Sequence, residues 1–196
     1  MNRPNATKMP KVNFLFAKIP FPALFLLLVL SLPFQVIFEN LDDELSILLD
    51  VKQQLGNPLS LQSWNSSSSP CDWPEITCID DTVTAISLRH NTITKKIRAR
   101  ICDLKNLVVL DVSNNYIPGK FPDILNCFKL EYLLLLQNSF VVPIPADIDR
   151  LSHLRYLDLT ANNFSGDIPA AIGSPVPWTG RRKQQLRNQI ERKLGS

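Results

Sequence analysis

Histidine is scarce in this chain: His90 and His153 are the two among 196 residues. Neither has a candidate nucleophile pattern around it, and no H-E-x-x-H or G-x-S-x-G run occurs. Zinc-protease and Ser-His hydrolase chemistry therefore has no residues to build on. Also absent are a glycine-rich phosphate loop, a catalytic-loop pattern and a magnesium-binding triplet, which excludes phosphoryl transfer by this chain. The chain reads as a non-enzyme, with no cofactor and no metal. Net positive charge is missing from its body. Four basic residues in 1–18, and six against Glu191 in 174–196, exceed the net charge of +3, so residues 19–173 carry about −6. With the net basic charge at the two ends, a basic nucleic-acid-binding domain is not indicated. At 45% hydrophobic residues, the body can still bury a core.

A second long apolar run is also missing; the single one lies near the start. Lys8, Lys11 and Lys18 precede it, and Ala23–Leu32 forms its centre. A positive segment followed by an apolar stretch of this length predicts a signal peptide over residues 1–38. A signal anchor is the alternative. Ile19–Phe38 is long enough to span a bilayer, although Pro20, Pro22 and Pro33 interrupt it and Gln35 weakens it. No small-x-small cleavage site is visible before the bulky Phe34–Phe38, so both readings stay open. Either one sends the chain into the secretory pathway, to the extracellular space or the plasma membrane.

What is present is a repeat. Val83-x-x-Ile86-x-Leu88-x-x-Asn91-x-Ile93 is followed by the same frame from Leu107 to Ile117, from Leu130 to Phe140 and from Leu154 to Phe164. The asparagines Asn91, Asn115, Asn138 and Asn162 are spaced by 24, 23 and 24 residues. Within each frame the central apolar pair, such as Leu110 and Val112, alternates at period two and points inward from a short strand. One such strand cannot bury its face alone, so stacked copies must form a parallel sheet over a continuous core. The fold class is α/β: a solenoid with a curved parallel β-sheet and an irregular, 3-10-rich convex side. Each asparagine falls where the chain turns away from its strand. Its amide can both donate to and accept from backbone groups left unpaired there, which predicts a structural ladder.

A second signature follows each asparagine: Gly119-Lys-Phe121-Pro122, Pro143-Ile144-Pro145 and Gly166-Asp-Ile168-Pro169. This G-x-[IF]-P turn resembles the plant-specific class of leucine-rich repeats. The first repeat departs from it, with Lys95 and Arg98 in the glycine and proline places, and the third has Val142 for glycine. Proline fixes φ and removes a donor, which suits an unpaired convex edge; repeat one should be looser there. Ahead of the repeats, Leu41, Leu45, Leu48 and Leu55, with Val51, recur at helical spacing. Asp42, Asp43 and Glu44 sit at the start, Lys52 near the end, and Gly56 and Pro58 supply stop signals. Trp64 and then Cys71-Asp-Trp73-Pro-Glu-Ile76-Thr-Cys78 resemble the cysteine-pair cap of plant leucine-rich-repeat receptors. In that family the two cysteines form a disulfide, which the resemblance carries to Cys71 and Cys78; two cysteines without a nearby histidine are too few for a metal site. Cys102 and Cys127 fall in successive convex segments and read as small buried thiols, with a second disulfide as the alternative.

The cap at 39–82 and four repeats at 83–173 resemble the start of the ectodomain of a plant leucine-rich-repeat receptor-like kinase. The HAESA-like peptide-hormone receptors are most similar, on the cap and on Asp-Leu-Lys-Asn-Leu at 103–107. The resemblance implies a truncated ectodomain, without its kinase, that recognises an extracellular peptide or protein and pairs with a co-receptor. Its membrane link would be a signal anchor or a helix beyond this chain. A freestanding secreted inhibitor and a membrane-anchored decoy of full-length receptors are the alternatives. Asn65-Ser-Ser67 and Asn163-Phe-Ser165 are N-glycosylation sequons; Asn5-Ala-Thr7 would be lost with a cleaved signal. Residues 174–196 break the repeat and read as a basic disordered tail, or as a weak amphipathic helix through Leu186, Ile190 and Leu194.

Residues between the inward leucines should line the concave face in columns. One is Ala85, Val109, Tyr132 and Tyr156; the next is Ser87, Asp111, Leu134 and Asp158; a third is Arg89, Ser113, Leu136 and Thr160. Tyr132, Tyr156, Asp111 and Asp158 are the candidate ligand contacts, because aromatic side chains bring contact area at low entropy cost. Solvated sheet positions are the plainer reading of the same columns.

Overall fold

The computed structural model describes residues 43–141, 143–167 and 169–173. The expected signal segment 1–38, Leu41, Val142, Ile168 and the tail 174–196 lie outside the described residues. Helix α1 covers 43–54. Ile47, Leu48, Val51 and Leu55 are buried along it and Leu45 is half-buried, so the apolar face centres one residue from where leucine spacing alone puts it. Gly56, at φ +86°, ends the helix. There the Asn57 amide donates to the Lys52 carbonyl at 3.0 Å, the wrap that a left-handed residue permits.

The cap continues through two 3-10 turns, Leu59–Leu61 and Pro70–Asp72, into a hairpin of β1 (Ile76–Ile79) and β2 (Thr82–Ser87). Trp64 and Trp73 stack between them, ring centroids 5.2 Å apart and both buried. Their polar edges are satisfied. Trp64 Nε1 donates to the Glu75 carboxylate at 2.9 Å and Trp73 Nε1 to Ser68 Oγ at 2.9 Å. The Cys71–Cys78 disulfide closes this segment. Arg100, in the convex turn of the first repeat, pairs with Asp50 of α1 at 3.2 Å and with Asp103 at 2.6 Å, joining cap to repeat.

Strand β2 is shared: antiparallel to β1 on one side, parallel to β3 (Val109–Asp111) on the other. Beyond β3 the sheet adds β5 (Tyr132–Leu134) and β7 (Tyr156–Asp158), both parallel. The register is the one that repeat alignment demands: Ile86, Leu110, Leu133 and Leu157 are paired in a row, buried together. A one-residue slip would turn every one of them to solvent. A second, smaller sheet pairs β4 (Pro118–Gly119) with β6 (Ser139–Phe140). The corresponding segment of repeat one, around Lys95, is not part of it. Sequence reading did not anticipate this second sheet.

Convex 3-10 turns at Ala99–Asp103 and Ile148–Arg150 close the repeats. Ile101 and Ile148 in these turns, and Ile124 in the irregular convex segment of the second repeat, are buried opposite the sheet leucines. Phe140 and Phe164 stack at 5.6 Å, filling the space behind the asparagine turns.

Cys102 and Cys127 are joined in a disulfide, which corrects the expectation of free buried thiols. Cys102 lies five residues before Leu107, and Cys127 three before Leu130, so they hold different positions in their repeats. Only the stacking of successive convex turns brings their Cα atoms to 4.5 Å.

Candidate recognition face

Period-two alternation sends Ala85, Val109, Tyr132 and Tyr156 away from the core, paired in one row across β2, β3, β5 and β7. Ser87, Asp111, Leu134 and Asp158 form the next row. The first two columns expected from sequence are thus rows of the sheet; the third, Arg89, Ser113, Leu136 and Thr160, lies beyond the paired strands, and its Ser113 is buried rather than facing solvent. Their chemistry differs from one position to the next.

Tyr132 is 39% exposed and Leu134 half-buried. Tyr156 is half-buried and hydrogen-bonds to Asp158; burial first, then the charge of that carboxylate, pushes its phenol above the ordinary value. Asp158 Oδ1 also accepts the Thr160 amide at 2.9 Å and the Thr160 hydroxyl. Asp111 is only 7% exposed. Its Oδ1 accepts the Ser113 amide at 2.9 Å and its Oδ2 pairs with Arg89 at 3.4 Å. Asp111 therefore closes the turn out of β3 and has no oxygen left over. Of the four candidate contacts, Tyr132, Tyr156 and Asp158 form a neighbouring group on β5 and β7, and Asp111 stands apart from them. Sequence reading missed Arg155 and Glu131, which pair at 2.8 Å immediately before the two tyrosines. Their opposite charges at one repeat position were the available signal.

Behind this face runs the ladder. Asn115 Oδ1 accepts the Asn91 and Ile93 amides at 3.1 and 2.9 Å. Its Nδ2 donates to the carbonyls of Leu88, Val112 and Ser113 at 2.7, 2.9 and 3.1 Å. Asn138 repeats the arrangement toward Ile117, Val112, Leu135 and Leu136, and Asn162 toward Phe140, Leu135, Leu159 and Thr160. Asn91, first in line, donates only to the Arg89 carbonyl. Asn115, Asn138 and Asn162 are consumed by structure.

The two sequons sit on the surface. Asn65 is exposed, with the Ser67 amide and hydroxyl both donating to its Oδ1. Asn163 is exposed beside the ladder. His153 is exposed and its Nδ1 lies 2.7 Å from the Phe128 carbonyl. Among the described residues no three metal-ligating side chains gather, and no helix is long and apolar enough to cross a membrane. A cleft of about 360 Å³ opens on the convex side, lined by Phe121, Pro122, Leu125, Pro143, Pro145 and Arg150, among others. Arg150 is held there by Asp147 and Asn126.

The Leucine rich repeat N-terminal domain matches residues 41–79, and the Leucine Rich Repeat matches 106–128 and 153–175. These segments coincide with the cap and with two of the four repeat frames. The chain carries a leucine-rich-repeat cap followed by leucine-rich repeats. No kinase domain lies in this leucine-rich-repeat chain. It is 48% identical over 74 residues to Receptor-like protein 52 of Arabidopsis thaliana, a match covering 37% of the chain and 9% of that protein. Its fold superimposes on the Arabidopsis receptor kinase HAESA, solved in complex with the peptide hormone IDA and the co-receptor SERK1. There the TM-score is 0.64 at 29% identity, over 68% of this chain and 24% of that one. A plant ice-binding protein is similar too, with TM-score 0.63 and 27% identity over 67% of this chain and 44% of that one. The chain spans less than a fifth of the length of curated relatives such as Receptor-like protein 52, Leucine-rich repeat receptor protein kinase EMS1 and Pollen receptor-like kinase 1 of Arabidopsis thaliana, at 9%, 8% and 19% of each.

Proposed function

We propose that this chain is an extracellular recognition module, the cap and first repeats of a plant receptor-like ectodomain, binding a peptide or protein on the face of its sheet. The observation that carries this is the group on β5 and β7. Exposed Tyr132 and half-buried Tyr156 stand side by side, next to Leu134 and to an Asp158 that fixes the Tyr156 hydroxyl. Pre-positioned aromatic area beside polar groups is what a peptide anchor needs. The HAESA–IDA–SERK1 complex supports a peptide and a co-receptor as partners, and the cap and residues 103–107 support membership of the HAESA-like subfamily. A surface matching the regular lattice of ice would repeat one residue type along each row. Here the rows run Ala, Val, Tyr, Tyr and Ser, Asp, Leu, Asp, which favours an irregular chain molecule.

The same reading places residues 1–38 as a signal peptide or anchor, 39–82 as cap, 83–173 as repeats and 174–196 as a tail, and puts glycans on Asn65 and Asn163. N-terminal sequencing and mass measurement of the secreted protein read out both. To test the face, secreted chain is titrated calorimetrically against a panel of plant peptide hormones. Binding should weaken about tenfold or more in Tyr132→Ala and Tyr156→Ala, with melting unchanged for the exposed Tyr132. Wild-type affinity in both variants would remove this face from the function.

A further inference from the structure

Beside the sheet face, where the chain turns at the ladder, an open cleft of about 370 Å³ is lined by His90, Asn114, Tyr116, Gln137 and Ser139. Its remaining lining is the ladder pair Asn115 and Asn138, whose amides are already saturated with backbone partners. The first five side chains differ: none makes a hydrogen bond to another described residue. Tyr116 is 64% exposed, with its ring free on one wall. His90, Asn114 and Gln137 occupy one repeat position, at φ 57°, 55° and 53°. No carboxylate, lysine or arginine lines the cleft.

We propose that this cleft binds a neutral oligosaccharide. Each of the Asn114 and Gln137 amides offers one acceptor and two donors on a single plane, which suits paired sugar hydroxyls that must both give and receive. The Ser139 hydroxyl and the His90 ring add further groups of the same kind. Tyr116 supplies the apolar surface on which the face of a pyranose ring stacks. Asn114 and Gln137 belong to adjacent repeats, and adjacent parallel strands lie about 4.8 Å apart, a distance comparable with one sugar ring. Lack of charge argues against an anionic ligand. Lack of apolar depressions argues against a peptide, whose side chains need pockets to fill. The site is separate from the tyrosine group on β5 and β7 and does not depend on it.

Full-length secreted chain is titrated by calorimetry with cellohexaose, xylohexaose and laminarihexaose, with an oligogalacturonate as charged comparator. Saturable binding of at least one neutral sugar is expected. Tyr116→Ala and Gln137→Ala should each weaken it about tenfold or more, without lowering the melting temperature, while Tyr132→Ala leaves it unchanged. The proposal is overturned if no neutral sugar saturates, if either cleft variant binds like wild type, or if the oligogalacturonate binds tightest.

Discussion

Four asparagines at one repeat position differ widely in what they hold. Asn115 makes five hydrogen bonds to backbone groups of two repeats, and it is buried. Asn91 has no repeat before it, and its amide makes a single bond to Arg89. Removing a partner from a buried backbone group costs about 1–3 kcal/mol. Asn115→Ala leaves two amides and as many as three carbonyls without that partner, so it should cost at least about 3 kcal/mol. Asn91→Ala should cost about 1 kcal/mol. Urea denaturation of the two variants measures the difference, and equal losses would show that the ladder does not act through these bonds.

At the scale of the element, the cap helix carries one carboxylate in the wrong solvent. Glu44 is 8% exposed, and its Oε2 accepts the Val83 amide at 3.0 Å, pinning α1 to the hairpin. Burial raises its pKa above the ordinary value. The Val83 amide opposes that shift and neighbouring Asp43 adds to it. A raised folded-state pKa means that the folded cap binds the proton more tightly than the unfolded chain. Its stability is therefore greatest below the unfolded pKa and falls as pH rises through the folded one. Glu44→Gln keeps an acceptor for Val83 and removes the charge. It should melt higher than wild type at about pH 7.5, with the gap closing near about pH 4. A gap that does not depend on pH would mean that the desolvated charge is not the source.

Across the whole molecule, each repeat touches chiefly its neighbours, so stability is close to a sum along one axis. The sheet ties the repeats on one side; on the other, the Cys102–Cys127 disulfide links two successive convex turns across a separation of 25 residues. In the chain-entropy account a loop of that size is worth about 3.5 kcal/mol, against about 2.5 kcal/mol for the Cys71–Cys78 loop. Paired replacement by serine at Cys102 and Cys127 should lower stability by about 3.5 kcal/mol. Non-reducing mass mapping of the wild type should recover the cross-linked peptides. Two free thiols after alkylation under native conditions would contradict the structure.

How much of this was legible follows from where the information lies. Repeat period and period-two alternation are properties of one chain read along its length. They set the parallel sheet, its register, the inward leucines and the ladder positions, because any other register exposes the core row. The cap helix and its glycine stop were likewise local. Tertiary structure alone decided what meets between repeats. Cys102 and Cys127 occupy unlike repeat positions and pair only because the convex turns stack. Asp111 looked like its column neighbour Asp158, yet Arg89 from the preceding repeat reaches it and takes it out of the candidate face. Contacts made perpendicular to the chain depend on side-chain reach between layers, and a period read along one strand does not carry that distance.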